Sequence, residues 1–129
     1  MTQEQTAFLF QKVRKYLSKH HSFLKSIQLK IGCKLAEEAR SDPRVFAHTL
    51  HIEDTVCISK DMLDLPVEIQ GGLLLHEFGH IIADKITGDG SQQAADIAVA
   101  SLGFDLTYTD DELELEIIPE EQIQKILKA

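Results

Sequence analysis

Residues 67–86 run as one long, mostly apolar stretch with no proline after Pro66, and two histidines and a glutamate lie inside it. The period of this stretch is helical. Leu74, Leu75, Phe78, Ile81 and Ile82 fall on a core-facing side while His76 and His80 line another. Pro66 suits the first turn, where the missing N–H costs nothing. Thr87-Gly88-Asp89-Gly90 ends the helix. Ser91 is an N-cap for a second helix that runs to Leu102, and Gly103 supplies its stop.

The rest of the chain provides smaller elements. Phe10, Val13, Leu17, Leu24 and Ile27 recur at helical spacings, which predicts an amphipathic helix over 6–27. The alternation in 28–35 suits a strand, and 35–40 could open a short helix before Ser41-Asp42-Pro43 breaks it. The β-prone runs 45–52 and 55–59 flank Glu53-Asp54 and predict a hairpin, followed by a loop over 61–66. Further on, 104–109 reads as a strand, 112–118 alternates acidic and apolar residues, and 119–128 reads as a terminal helix. With 129 residues, the whole chain, 1–129, is expected to be one domain. The expected class is α+β, with a small mixed or antiparallel sheet of three or four strands packed on the two central helices.

The segment His76-Glu77-Phe78-Gly79-His80 matches H-E-x-x-H, a pattern expected by chance only about 0.02 times in a chain of this composition. On a helix, residues four apart project to the same side, so His76 and His80 can share one metal ion. Glu77 points about 100° away and can reach a water held by that metal. Zinc (Zn2+) lowers the pKa of such a water toward roughly 7, and a neighbouring carboxylate can act as general base when the water attacks a carbonyl. Two plainer readings compete: His76 and His80 as hydrogen-bonded core residues with Glu77 solvated, or a closed structural zinc site. The second needs two more Cys or His ligands, and neither Cys33 nor Cys57 stands at a metal-ligand spacing. Both cysteines are expected to be reduced, buried thiols.

A catalytic zinc site needs a third protein ligand. Asp96 is the leading candidate, since a carboxylate in the otherwise apolar QQAADIAVASL calls for a partner. Its other readings are an acceptor for one of the imidazoles, or a solvated residue near a helix N-terminus.

From 45 to 103 the chain resembles the gluzincins, specifically minimal zinc-peptidase domains of the minigluzincin and ImmA/IrrE-like kind. The features that carry the resemblance are a hairpin, the HEFGH helix, a glycine turn and a second helix ending in A-A-D-x-A-x-x-S-L-G. The resemblance implies a zincin-like fold, zinc-dependent hydrolysis of peptide bonds, and a hairpin whose last strand forms the substrate-facing edge, with 55–59 aligning an extended substrate. In such families a Glu four residues before the Asp of an E-x-x-A-D pattern is the third ligand. Here that position is Gln92, a neutral and weakly basic donor, so Asp96 comes first as ligand, Gln92 second and Asp89 third. Asp84 lies one turn beyond His80, too far along the axis to join both imidazoles. For a second oxyanion donor, His48, His51 and Tyr108 are the candidates.

The formal net charge of −8 argues against a nucleic-acid partner. The basic residues of the first quarter are either a docking face for an acidic partner or a solvated helix face, and His20 and His21 beside them read as surface residues. No apolar run reaches the length of a bilayer span, and the start of the sequence has no signal-peptide pattern. A cytoplasmic protein with no membrane partner is expected. The expected partner is a protein or peptide substrate. The alternative is a regulatory interaction domain on the same scaffold, with or without metal, for which Gln92 and the acidic C-terminal segment speak. The resemblance also permits a phage-type or toxin-like regulator that acts on a repressor.

Overall fold

The computed structural model describes residues 1–32, 47–50, 54–110 and 114–129, with 47–50 described through the backbone alone. In chain order the described elements are α1 (Gln3–Ser18), β1 (Gln28–Ile31), β2 (Ala47–Leu50), β3 (Thr55–Ile58), α2 (Val67–Thr87), α3 (Gln92–Ser101), β4 (Thr107–Tyr108), β5 (Glu116–Ile117) and α4 (Glu120–Leu127). Helices and two small sheets together make an α+β arrangement.

Helix α2 is the axis. Every residue in 70–79 is buried, so this part of the helix is covered on all sides rather than along one stripe. The covering comes from α1, α3, α4, β2 and β5, which all contact it. Helix α1 starts with a capping box: Thr2 Oγ1 accepts from the Gln5 N–H at 3.1 Å, and Gln5 Oε1 accepts from the Thr2 N–H at 2.8 Å. Its buried stripe is Thr6, Leu9, Phe10, Val13 and Leu17. Phe10 stacks on Phe78 with ring centroids 5.3 Å apart. Thr6 Oγ1 donates to Gln70 Oε1 at 2.8 Å in the same interface, and the Gln70 amide donates to the Leu65 carbonyl at 2.9 Å. The buried glutamine is thereby satisfied at both ends, and it fixes the rotation of α2 relative to α1.

The first helix is shorter than its periodicity suggests. It ends at Ser18, and a 3-10 turn over Ser22–Ser26 follows. Leu24 and Ile27 are nevertheless buried, because the turn delivers them to the same core. A seven-residue spacing between apolar residues is met equally by a continued helix and by this turn. A second 3-10 turn, Lys60–Asp64, with Met62 buried, occupies the expected loop at 61–66.

In the three-stranded sheet the order is β1-β3-β2. Strands β2 and β3 form the expected antiparallel hairpin, Ala47 opposite Ile58 and Leu50 opposite Thr55, while β1 runs parallel to β3. Strand β3 is therefore the centre of the sheet, which corrects the expectation that the hairpin's last strand is the substrate-facing edge. Its backbone groups are engaged by neighbours on both sides and cannot take up a further strand. Strand β2 is the member of the hairpin that packs on α2. The 35–40 segment, Cys33, His51 and the side chain of His48 lie outside the described residues. Cys57 is buried.

Toward the C-terminal end, the left-handed Gly88 (φ 71°) closes α2. The Ser91 hydroxyl caps α3 by accepting from the Ala94 N–H at 3.0 Å. The antiparallel ribbon β4–β5 sets Thr107 opposite Ile117 and Tyr108 opposite Glu116. No helix among the described residues is long and apolar enough to cross a membrane.

Candidate functional site

Two glycines of α2 decide what can come close to the H-E-x-x-H turn. A Cβ at Gly79 would lie 2.5 Å from the Ala95 carbonyl oxygen and 3.0 Å from Val99 Cγ2. A Cβ at Gly72 would lie 2.7 to 2.8 Å from backbone atoms of Glu116 and Ile117. The missing side chains thus let α3 on one flank and β5 on the other rest directly on the helix backbone. Gly72 and His76 are one turn apart, so the two contacts bracket the histidine.

His76 is buried and His80 half-buried. Their rings meet edge to face with centroids 4.7 Å apart. Both Nε2 atoms converge on one oxygen, Gln92 Oε1 at the start of α3: His80 at 2.8 Å and His76 in a still shorter contact. The other nitrogen of His76, Nδ1, lies 2.8 Å from Asp96 Oδ1. The second Asp96 oxygen accepts from the Tyr108 hydroxyl at 2.5 Å. Glu116 approaches from the ribbon, with Oε1 3.8 Å from His76 Nε2 and a side chain only 14% exposed.

The structure therefore brings the sequence-predicted residues together in a different arrangement. Asp96, the first choice as third ligand, stands on the Nδ1 side of His76, where it orients the ring. The oxygen facing both Nε2 atoms belongs to Gln92, the second choice. Asp89, the third, is exposed and accepts from the Ser91 N–H at 2.9 Å, which lowers its pKa. Asp84 is exposed. Tyr108, considered as an oxyanion donor, has its hydroxyl committed to Asp96. Among the described residues, no group of three or more His, Cys, Asp or Glu side chains is placed as a ready metal site; the donors that converge on one point are two imidazoles and an amide.

Charge in the site favours a cation at His76. Burial, the largest single effect, works against a protonated ring, but the carboxylates of Glu116 and Glu77 together with the bonds to Gln92 and Asp96 outweigh it, so the pKa rises. Burial raises the Glu116 carboxyl above its ordinary value, partly offset by the attraction of His76. Burial, and then the bond to Asp96, push the Tyr108 phenol well up. Glu77 is 7% exposed and lies beside the imidazole pair on α2. The open side of the site is formed by Gln92 and Tyr108, both exposed.

Glu116 was missed from sequence. The signal available was the acidic–apolar alternation of 112–118, which marks a strand with one buried face but does not say which carboxylate turns inward.

The basic residues of the first quarter are partly used within the fold. Arg14 donates to the Ile27 carbonyl at 2.7 Å and Lys12 to the Ala129 carbonyl at 2.7 Å. His20 is exposed, and His21 packs beside Phe23.

Comparison with known proteins gave no match to a family model, to a curated protein or to a solved structure.

Proposed function

We propose that the chain is a zinc-dependent metallopeptidase of zincin-like fold that hydrolyses a peptide bond in a protein or peptide substrate. One observation carries the reading: the Nε2 atoms of His76 and His80, one helical turn apart, face a single oxygen while Nδ1 of His76 is held by a carboxylate. Ligating histidines characteristically have their second nitrogen tied in this way, which fixes the tautomer and the ring orientation.

The donor set fits a zinc ion. Two donors on one zinc ion would stand roughly 3.3 Å apart, so Gln92 would have to withdraw by about half an ångström from its 2.8 Å contact with His80 and by more from its closer contact with His76. An exposed glutamine at a helix start has the rotamer freedom to do so. When bound, zinc supplies Lewis acidity and lowers the pKa of a coordinated water toward roughly 7.

The chain's own residues supply the rest. His76 and His80 would hold the cation, with Gln92 Oε1 facing the same point. Asp96, itself anchored by Tyr108, keeps the proton on His76 Nδ1 and leaves Nε2 for the cation. Glu77 takes the proton of the water that attacks the scissile carbonyl and passes it to the departing amine. An extended substrate lies along β2, the hairpin strand packed against α2, rather than along the enclosed β3. The cytoplasm is the compartment we assign, where Cys57 stays a thiol.

Glu77→Gln tests the base: zinc content stays near one ion per chain by elemental analysis, while hydrolysis of a peptide library falls by at least about 100-fold. Full turnover in this variant rules out Glu77 as the base.

A second reading, a regulatory interaction domain that uses the scaffold without turnover, is favoured by one feature, the neutral Gln92 at the position of the expected anionic ligand. The same elemental analysis, well below one zinc per chain, would support it.

A further inference from the structure

We infer that Glu116, rather than Gln92, is the third protein ligand of this site, supplying from β5 the carboxylate that α3 lacks. The inference rests on the reading of His76 and His80 as metal ligands.

Position is the first argument. Gly72 lets the backbone of Glu116 lie against α2, and the side chain then runs toward His76, ending 3.8 Å from Nε2. That is already within about half an ångström of the roughly 3.3 Å that separates two donors on one zinc ion. Glu116 approaches Nε2, the nitrogen left for a metal, whereas Asp96 approaches Nδ1.

The other carboxylates are committed elsewhere. Both Asp96 oxygens are occupied, one by His76 Nδ1 and one by the Tyr108 hydroxyl. Glu77 belongs to the proton transfer. Two imidazoles and an amide oxygen bring no negative charge, and a divalent cation held by them alone stays uncompensated. A carboxylate that is 14% exposed, beside that point, is costly unless a cation meets it.

The ribbon also ties this ligand to the rest of the site. Tyr108 and Glu116 are direct cross-strand partners, so one rung of β4–β5 delivers the hydroxyl that holds Asp96 and the carboxylate that faces Nε2. A rung fixed at one end by Asp96 sets the position of the other.

The test uses the full chain, stripped with a chelator and titrated with zinc against a chromophoric competitor, and separately loaded with cobalt(II) for its visible spectrum. Glu116→Gln is expected to weaken zinc binding by more than the roughly 10–100-fold that loss of an outer partner costs, a range that Asp96→Asn should match. Gln92→Ala should cost less than either, and the cobalt band should change shape in Glu116→Gln. Glu116→Asp, which keeps the charge but shortens the reach, should lose affinity and alter the same band, and it gives the answer by itself if Glu116→Gln does not fold. Zinc affinity in Glu116→Gln within about threefold of wild type, or a Gln92→Ala loss exceeding that of Glu116→Gln, overturns the inference and leaves the two-histidine site standing. A wild-type chain that takes up no zinc overturns both.

Discussion

Gly79→Ala isolates the contact on which the site geometry depends. The new methyl group would sit 2.5 Å from the Ala95 carbonyl oxygen and 3.0 Å from Val99 Cγ2. The valine can adjust, but the carbonyl belongs to the backbone of α3, so the helix must retreat by roughly 0.9 Å to restore an ordinary contact. Overpacking of this kind costs about 1–3 kcal/mol, while alanine in place of glycine inside a helix returns about 1 kcal/mol. The net expectation is a loss of about 0–2 kcal/mol in urea denaturation, a modest effect on the fold. The site is less tolerant, because side chains must stay within about 0.5 Å of a productive geometry, and α3 carries both Gln92 and Asp96. Zinc affinity should therefore fall by about tenfold or more while most of the stability remains. Gly90→Ala is the control: nothing lies within 4 Å of its Cβ, so both quantities should stay at wild-type values. Unchanged zinc affinity in Gly79→Ala would refute the claim that close approach of α3 builds the site.

Two further outcomes follow from the same geometry. Tyr108→Phe removes the hydroxyl that holds Asp96 and should lower zinc affinity by less than the roughly 10–100-fold expected for Asp96→Asn, with a stability loss of about 0.5–1.5 kcal/mol at most, since the tyrosine is 45% exposed; identical zinc binding in a competition titration counts against the tether. In the metal-free chain the His76 pKa is raised, so its stabilising contribution is complete below the unfolded imidazole value of about 6.5 and is lost as pH rises through the folded value. The raised Glu116 carboxyl acts in the same sense, starting from its ordinary 4.5. Zinc replaces the proton on Nε2, so its stabilisation should instead grow with pH. Melting curves at about pH 6 and pH 8, with chelator and with zinc, should show this opposition, and parallel pH trends in the two series would contradict it.

The elements that were legible in sequence are those whose local chemistry leaves one solution. Pro66 before an unbroken apolar run, Gly88 after it and Ser91 at the next N-terminus determine α2 and α3 to within a residue or two. The hairpin of β2 and β3 is equally local, with Asp54 in the left-handed region before Thr55. The parallel pairing of β1 with β3 is not local, since it joins segments far apart in the chain, and it places β3 at the centre of the sheet. The end of α1 was ambiguous for another reason: a helix and a 3-10 turn bury Leu24 and Ile27 equally well.

For the site, the sequence showed the pair His76 and His80, with Glu77 between them, because their spacing is itself the geometry. It also brought Asp96 forward, as a carboxylate in an apolar helix that needs a partner, but whether that partner is a metal or a ring nitrogen depends on the rotation of α3 against α2. Glu116 was out of reach, since only the folded ribbon distinguishes it from the other acids of its segment. On the inference drawn above, its position would let Gln92 stand where a carboxylate is expected. Asp96 and Gln92 both accept, so the metal-free His76 has an acceptor at each nitrogen, which favours its protonated form. With a divalent cation in place of the Nε2 proton, the charges of Glu116 and Asp96 balance it. A glutamate at 92 would add another negative charge beside Glu116 and Glu77, whereas a neutral glutamine adds no such repulsion.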